Sequence, residues 1–472
     1  MKVAGRCVLL GLAVVSMAAA ADPILERVDA EGPAAVSMAE RLWALAELGY
    51  QETRSAELLS DYLVGSGFAV ESGVAGIPTA FVASFGSGSP TIGVLAEFDA
   101  LPGMSQAAEP SRRPLEPEGA GHACGHHLFG AGAAAAAVAA ARWMEANGLP
   151  GTIRVFGTPA EEGGSGKVYL TRAGVFDDVD VVLHWHPGSR NDASPASTTA
   201  NKSGRFTFRG VAAHAAAAPE RGRSALDGVE AMNYMVNLMR EHVPPDSRIH
   251  YVITKGGDAP NIVPETAQVY YYVRHPQVAT VAELFERVVA AARGAALGTG
   301  TSVDYEVMHG NYPVLPNETL ARRVHAHLVG LGGISYSADE RRFAEQIQAT
   351  LGESLPPLSR AERVEPFQVR QNMGSTDVGD VSWKVPTVGF YAATWVPGTP
   401  AHSWQAVAAG GTSIGHKGML LAARTLALTA ADLLRNPSLI EAARAELERR
   451  QGPDFRYSAL LGDRDPPLDY RR

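Results

Sequence analysis

Three short apolar runs in this chain are each followed by side chains that can bind a metal or carry a proton. The runs are residues 91–96, 151–157 and 179–184. The polar residues that end or follow them are Asp99, then Glu161 and Glu162, then His184 and His186. Such runs are typical of buried strands in an α/β sheet, which builds its sites where parallel strands end. The pattern predicts an α/β fold with a site at that edge, where Asp99 either orients a histidine or is a solvated turn residue.

A cluster of metal-ligand side chains lies between the first two runs. One thiol and three imidazoles stand within residues 121–127: His122, Cys124, His126 and His127. The Ala-rich segment 131–141 that follows predicts a helix. Thiolate and imidazole ligands suit zinc, manganese or cobalt better than calcium or magnesium, which prefer oxygen. Together with Glu161, His186 and the later His402, the cluster predicts a metal-dependent hydrolase.

The N-terminal segment has the order of a secretory signal. Lys2 and Arg6 precede an apolar run at 8–15, and small residues lead up to Ala21. The apolar run is too short to cross a bilayer comfortably, so cleavage is expected, with a retained anchor as the alternative. We therefore expect residues 1–21 to be a signal peptide and the protein to be periplasmic or secreted.

The composition limits both the partners and the fold. The 472 residues carry 41 basic and 50 acidic side chains, a net charge of -9 that argues against nucleic acid as a partner. After the signal, no segment is long and apolar enough to cross a membrane. Loss of Cys7 with the signal leaves Cys124 as the one cysteine, so no intramolecular disulfide is possible. An ordinary core must hold the fold, and at this length more than one domain is expected.

The rhythm of the sequence changes between residues 200 and 310. Strands are predicted at 205–209, 248–254, 267–273 and 301–308, and helices at 224–240 and 281–296. This strand-helix-strand-strand-helix-strand order is that of the split βαβ, or ferredoxin-like, arrangement. We therefore predict a small ferredoxin-like domain at 200–310, inserted into a larger domain that residues 22–199 and 311–472 form.

After the predicted insertion the chain returns to an α/β pattern. The features in order are a polar segment at 374–377, a strand at 385–391, His402, a loop at 410–413, a helix at 418–434 and a charged helix at 441–450. The loop resembles a set of backbone donors, although a plain turn fits it better. The Pro-rich end is predicted to lie on the surface.

Several of these motifs resemble one known family. They are His122-Ala123-Cys124-Gly125-His126, Pro159-Ala160-Glu161-Glu162-Gly163-Gly164, His186-Pro187 and Ala213-His214-Ala215. The chain is similar to the dinuclear-metal amidohydrolases and peptidases that include carboxypeptidase G and the auxin-conjugate hydrolases. Segments 374–383, 393–395 and 410–419 resemble the aminobenzoyl-glutamate hydrolases of that family. The resemblance covers nearly the whole chain after the signal and implies a metallopeptidase-like catalytic domain with an inserted lid and dimerisation domain.

The resemblance also implies a role for each matching residue. The implied ligands of two divalent ions, zinc or manganese, are Cys124, His126, Glu162, His186 and His402. Glu161 takes the place of the general base, and His214 that of a histidine that reaches the partner's site in a homodimer. The family often has Asp where this chain has His127, and His184 is an extra imidazole. The choices between His126 and His127 and between His184 and His186 therefore stay open, and without the resemblance His214 is a packed or capping residue.

The residue types also fit amide hydrolysis on chemical grounds. A divalent ion polarises a carbonyl and lowers the pKa of water, while a carboxylate takes the proton and passes it to the leaving nitrogen. The resemblance implies an amide of an amino acid with a free carboxylate, such as an N-acyl or N-aroyl amino acid, and leaves room for a further partner subunit. Candidate carboxylate contacts are Asn261, Arg274, Ser375 and Thr376, with a solvated charge as the alternative for Arg274.

Three other functions compete with this interpretation. An exported dipeptidase or carboxypeptidase of the same family would use the same residues. A thiol amidase would use Cys124 as its nucleophile and a histidine as base, which leaves Glu161, Glu162, His186 and His402 without roles. A non-catalytic metal- or solute-binding protein would have no need of Glu161.

Overall fold

The computed structural model describes residues 22–471 of the chain. The segment predicted to be a secretory signal, residues 1–21, lies outside the described residues. The described part folds around two separate hydrophobic cores. None of its helices combines the length and the apolar character that a membrane-spanning helix requires.

A six-stranded sheet crosses the larger core. The elements of the first part of the chain are α1 (Pro23–Leu45), α2 (Thr53–Gly65), β1 (Ala69–Ser72), β2 (Phe81–Ser87), β3 (Thr91–Ala96), α3 (His126–Ala146), β4 (Gly151–Gly157), α4 (Gly166–Arg172), β5 (Val181–Leu183), β6 (His186–Gly188) and β7 (Ala196–Ser197). The strand order is β1-β2-β4-β3-β5, and a later short strand pairs with β5. Strands β3, β4 and β5 are parallel, so their C-terminal ends meet at one edge. The predicted α/β sheet is confirmed.

Helix α3 carries the Ala-rich segment and lies deep in this core. All but three of its 21 residues are buried. It packs against α1 and against strands β3 and β4. Alanine side chains allow such close approach on several sides, because they fill little volume and lose no rotamer freedom on burial. The helix therefore holds its first residue, His126, rigidly at the edge of the sheet.

The predicted ferredoxin-like order is present as a second sheet. Its elements are β8 (Ala200–Arg209), α5 (Ala225–Met239), β9 (Arg248–Lys255), β10 (Thr266–His275), α6 (Val278–Thr299) and β11 (Ser302–Asn311). The strand order is β11-β8-β10-β9, and all neighbours are antiparallel. Helices α5 and α6 pack on this sheet and close the second core. The division of the chain into domains at residues 199/200 and 310/311 remains a proposal.

The last part of the chain returns to the first core. Its elements are α7 (Glu318–Leu331), α8 (Ala338–Gln348), β12 (Arg370–Gln371), α9 (Val378–Ser382), β13 (Thr387–Val388), β14 (Tyr391–Ala393), α10 (Trp404–Gly410), α11 (Ser413–Arg435) and α12 (Pro437–Gln451). Helices α7 and α8 were not predicted from the sequence. The strand predicted at 385–391 needs a correction, because β13 pairs with β5 whereas β14 pairs with β6. The chain changes partner at Gly389, so one continuous strand does not form.

Two further expectations are decided by the contacts of the last helices. Residues 410–413 form the junction of α10 and α11, where the Thr412 side chain caps α11 by accepting a hydrogen bond from Ile414 N. The plain-turn interpretation of this loop is therefore the correct one. The Pro-rich end does not simply lie on the surface: Leu461 is buried, and the Tyr470 hydroxyl donates to the carbonyl of Glu162 at 3.1 Å.

Candidate active site

The loop before α3 and strand β6 meet at the edge of the first sheet. Gly125, which caps α3, has a φ of +81°. A Cβ atom at Gly125 would lie 2.6 Å from Cβ of Pro187, so only glycine lets the loop lie so close to β6. This approach places Cys124 Sγ 3.5 Å from His186 Nε2. His186 Nδ1 lies 2.8 Å from the carbonyl of Pro187, which leaves Nε2 as the nitrogen that faces the thiol.

Asp99 joins the end of β3 to the ends of α3 and β4. Its Oδ1 lies 2.9 Å from His126 Nδ1, and its Oδ2 accepts a hydrogen bond from Glu162 N at 2.9 Å. Burial alone raises the pKa of Asp99, but the charge and hydrogen bond of His126 and the Glu162 amide lower it to about 2. The ionised carboxylate therefore fixes the His126 ring so that Nε2 is its free nitrogen.

The turn after β4 holds two adjacent carboxylates in a strained backbone. Ala160 and Ser165 have positive φ angles of 56° and 61°. The Ala160 amide donates to Glu52 Oε1 at 2.9 Å, and the Tyr50 hydroxyl donates to the Gly164 carbonyl at 2.7 Å. Surrounding side chains thus over-determine the turn, which fixes where Glu161 and Glu162 project.

Glu161 has the electrostatic surroundings of a proton acceptor. Burial raises the pKa of its carboxyl well above the usual value, and the nearby carboxylates of Glu97 and Glu162 raise it further. Glu161 lines a cavity of about 280 Å³ that also contains Cys124 and His186. A carboxylate with a raised pKa in such a cavity is suited to general base catalysis near neutral pH.

His402 comes to the same place from the last part of the chain. Its backbone amide donates to the carbonyl of Ala123 at 3.0 Å, and its φ is +58°. This bond ties the turn at His402 to the loop that carries Cys124. The imidazole Nε2 lies 3.1 Å from Glu162 Oε1. Four separated segments therefore contribute to one cluster.

The candidate ligand atoms fall into three overlapping groups, and in each group they lie within 4.8 Å of one another. The groups are Cys124 with His126 and His186, Cys124 with Glu162 and His402, and His126 with Glu161 and Glu162. His126 Nε2 and Glu162 Oε1 are buried and make no hydrogen bond of normal geometry within residues 22–471. Buried polar atoms are normally paired, so this set of thiol, imidazole and carboxylate atoms fits divalent metal ions.

Two imidazoles that competed for a ligand role lie outside these groups. His127 is buried in α3, and its Nε2 lies 3.1 Å from the carbonyl of Gly410. His184 lines the cavity without belonging to any group. His122 likewise faces away, with Nε2 3.0 Å from the carbonyl of Leu42. The geometry therefore favours His126 over His127 and His186 over His184.

A buried charge network beside the cluster was missed by sequence reasoning. Lys167 Nζ lies 2.7 Å from both Glu97 Oε1 and Asp377 Oδ1, and all three side chains are at most 1% exposed. Glu97 Oε2 in turn lies 3.0 Å from His126 Nε2. Burial alone lowers the pKa of Lys167, but Asp377 and Glu97 raise it above its usual value, so the ammonium stays charged. Glu97 could have been found, because it stands two residues before Asp99 at the same strand end.

The predicted substrate contacts and His214 lie in two different places. Ser375 and Thr376 line the cavity, and Arg274 Nη1 donates to Ser375 Oγ at 2.9 Å. Asn261 and His214 are exposed and are not part of the cavity wall. The Nδ1 atom of His214 accepts hydrogen bonds from the amides of Ala216 and Ala217, at 3.2 and 3.1 Å. Within one chain, the structure therefore does not bring His214 to the metal-ligand groups.

The chain is similar to known proteins along most of its length. Residues 93–405 match the family described as Peptidase family M20/M25/M40. One of the two p-aminobenzoyl-glutamate hydrolase subunits of Escherichia coli (strain K12) is 40% identical over 450 residues, which cover 89% of this chain and 93% of that protein. The Xaa-Arg dipeptidase of Mus musculus is 31% identical over 439 residues, which cover 90% of this chain and 91% of that protein.

A solved structure shares the fold. It is a dinuclear metal-binding peptidase of the M20 family from Bacillus subtilis, with a TM-score of 0.57 and 16% identity, covering 86% of this chain and 99% of that one. At this identity the likeness concerns the fold alone. The sequence resemblance to dinuclear-metal amidohydrolases and peptidases is confirmed, as is the prediction of a hydrolase. The chain belongs to peptidase family M20/M25/M40 and is a hydrolase of amide bonds.

Proposed function

We propose that this protein hydrolyses the amide bond of an N-acyl or N-aroyl amino acid, in particular one like p-aminobenzoyl-glutamate. The observation that carries the proposal is the meeting of the three ligand groups with Glu161 at one cavity. The name of the 40% identical relative supplies the aroyl amino acid. The Xaa-Arg dipeptidase relative keeps an exported dipeptidase as the second candidate, at lower identity.

The residues that would hold two divalent ions, zinc or manganese, are Cys124, His126, Glu162, His186 and His402. Cys124, His126 and Glu162 each belong to two of the three groups, which supports two neighbouring positions rather than one. When bound, such ions polarise the substrate carbonyl and lower the pKa of water. The mixture of thiol, imidazole and carboxylate suits zinc or manganese better than calcium or magnesium.

The chain's own residues then divide the remaining work. Glu161 takes a proton from the attacking water and returns it to the leaving nitrogen. Asp99 holds His126 and the Glu162 backbone in place, so that the two ends of the site keep their separation. Arg274 and Ser375 are proposed to bind the free carboxylate of the amino acid, with Thr376 beside them, because Arg274 provides the fixed positive charge at that end of the cavity. Asn261 would join them only from outside the cavity wall of its own chain.

A thiol amidase fits this site less well. Burial raises the pKa of Cys124 well above the usual value, which disfavours the thiolate that a nucleophile needs. Cys124 is also shared by two metal-ligand groups. A non-catalytic binding protein would give Glu161 no role, although its raised pKa and its place in the cavity are those of a base.

We further propose a homodimer that is exported, with His214 completing the partner's site. Strand β9 is an edge strand of the second sheet and exposes Tyr251, Val252 and Ile253. An exposed apolar edge of this kind is suited to an isologous two-fold interface. Because Nδ1 of His214 accepts two backbone amides, its Nε2 carries the proton and can donate to a developing oxyanion. The 40% identical relative is by its name one subunit of a hydrolase, which leaves room for a second kind of subunit.

The test of the proposed function is a substrate panel measured with and without metal. We expect hydrolysis of N-aroyl amino acids, p-aminobenzoyl-glutamate among them, in the presence of zinc or manganese. Exhaustive chelation should abolish this activity and lower the melting temperature, because bound ions stabilise the folded state. Unchanged hydrolysis after complete metal removal would contradict the proposal. Cleavage of dipeptides without any cleavage of N-aroyl amino acids would favour the second candidate.

The role of His214 predicts complementation between two inactive variants. His214→Ala and Glu161→Gln subunits are each expected to be inactive as homodimers. If His214 acts in the partner's site, a mixed dimer has one intact site, and activity up to about half that of the wild type per dimer should return. Heterodimers can be isolated with two affinity tags. Activity that stays at background in proven heterodimers would place His214 in its own chain's site or in no site.

A further inference from the structure

The cavity at the ligand groups continues along a wall that the catalytic roles leave unexplained. Helices α7 and α9 both pack on β13, beside the point where the chain changes its strand partner. The apolar residues of this wall are Val314, Pro316, Ala321, Val378, Val388 and Phe390. None of these side chains is polar, so this part of the cavity is suited to an apolar group. The imidazole of His184 faces the same cavity.

His184 is held by packing rather than by hydrogen bonds of its ring. The ring lies against the open side of Gly389, where a Cβ atom would come within 2.1 Å of Nε2. On another side the ring stacks on Phe129, with centroids 6.4 Å apart and an interplanar angle of 23°. Neither ring nitrogen has a hydrogen-bond partner among residues 22–471, and Nδ1 is the one that is fully occluded. Nε2 is therefore left as a polar atom at the cavity without a protein partner, which is unusual for an interior imidazole.

The two halves of the proposed substrate differ in what they require. The amino acid half carries a carboxylate, and Arg274 with Ser375 offers it charge and hydrogen bonds. The acyl half is uncharged, and the wall of β13, α7 and α9 is the part of the cavity that would bury it without desolvating a charge. A flat aromatic ring placed on this wall has one polar neighbour, His184.

We infer that His184 is a specificity-determining residue: the apolar wall receives the aromatic acyl group of the substrate, and His184 Nε2 forms a hydrogen bond with a polar substituent on that ring. This inference rests on the proposed function and adds the recognition of the acyl half to it. A substrate ring with an amino group satisfies the imidazole, whereas an unsubstituted ring leaves it buried and unpaired. Leaving a buried polar group without its partner is the kind of loss that separates closely similar substrates strongly.

The experiment compares p-aminobenzoyl-glutamate, benzoyl-glutamate and acetyl-glutamate in the metal-loaded protein. Wild type should prefer the aminobenzoyl over the benzoyl substrate by about 10-fold or more in kcat/KM, as expected for one buried hydrogen bond. In His184→Phe this ratio should fall towards 1, while both aroyl substrates stay ahead of acetyl-glutamate because the wall is intact. Gly389→Ala, which pushes the ring from its place, should lower the ratio too. His242→Phe, an exposed histidine outside the cavity, is the matched control and should keep it.

Two further measurements separate this inference from a folding defect and from the proposed function. Melting temperature and metal content of His184→Phe should match those of the wild type. Binding of p-aminobenzoate and benzoate, measured by calorimetry, tests the wall and His184 without any turnover. If wild type binds and hydrolyses substituted and unsubstituted aroyl compounds equally, or if His184→Phe keeps the preference, the inference is overturned. If no N-acyl amino acid is hydrolysed but the binding preference depends on His184, the proposed function fails and the inference stands.

Discussion

Replacement of Glu161 by glutamine is expected to lower kcat by roughly two orders of magnitude or more while the bound metal stays near the wild-type amount. Glutamine keeps the shape and the position in the strained turn, but it cannot accept a proton. The turn itself is fixed from outside by Glu52 and Tyr50, so the exchange leaves the backbone in place. The effect should therefore appear in kcat far more than in KM.

Glu162→Gln is the matched variant, one residue away in the same turn. Glu162 belongs to two of the three ligand groups, whereas Glu161 belongs to one. We expect Glu162→Gln to lose metal, seen by metal analysis of the purified protein, and to lose activity as a consequence. Loss of metal in Glu161→Gln together with full retention in Glu162→Gln would reverse the roles assigned to the two residues.

Much of the fold could be predicted because local patterns decide it. Strand β3 has six buried residues in a row and reads from sequence as an interior strand, since both of its faces are covered. The second sheet follows from alternation of a kind that β10 shows, where every second residue is buried. Helices α7 and α8 were not predicted, although their signals are present. Asn317 and Ser337 cap them, and Glu340 completes a capping box with Ser337.

The candidate site divides along the same line between local and distant information. The order of ligands along the chain could be inferred, because each lies directly after a recognisable strand or before a recognisable helix. The choice of His126 over His127 could not, since it depends on Asp99, 27 residues away, and on Gly410, 283 residues away. Lys167 gave no signal either, because its partner Asp377 lies 210 residues further along the chain. A buried charge network is defined by its partners, and sequence spacing does not show them.

That network leads to the second large effect: Lys167→Met is expected to destabilise the protein by about 3–5 kcal/mol, the usual cost of removing one partner from a buried ion pair. Methionine has nearly the length of lysine, so the loss is mainly that of the charge. Glu97 and Asp377 would be left as buried carboxylates, with Glu161 close by. Lys384→Met is the matched control, because Lys384 forms a partly exposed pair with Asp177 and should cost less than about 1 kcal/mol.

The loss in Lys167→Met should also depend on metal. Divalent ions beside Glu97 and His126 would supply part of the missing positive charge, so the destabilisation is expected to be larger in the metal-free protein than in the loaded one. Adding Asp377→Asn to Lys167→Met removes one of the stranded charges and should recover part of the stability. Chemical unfolding of all four proteins, each with and without metal, gives the free energies of unfolding. If Lys167→Met costs no more than Lys384→Met in both states, then the buried ammonium does not neutralise the acidic residues around the site, and the charge argument made for Glu97 fails with it.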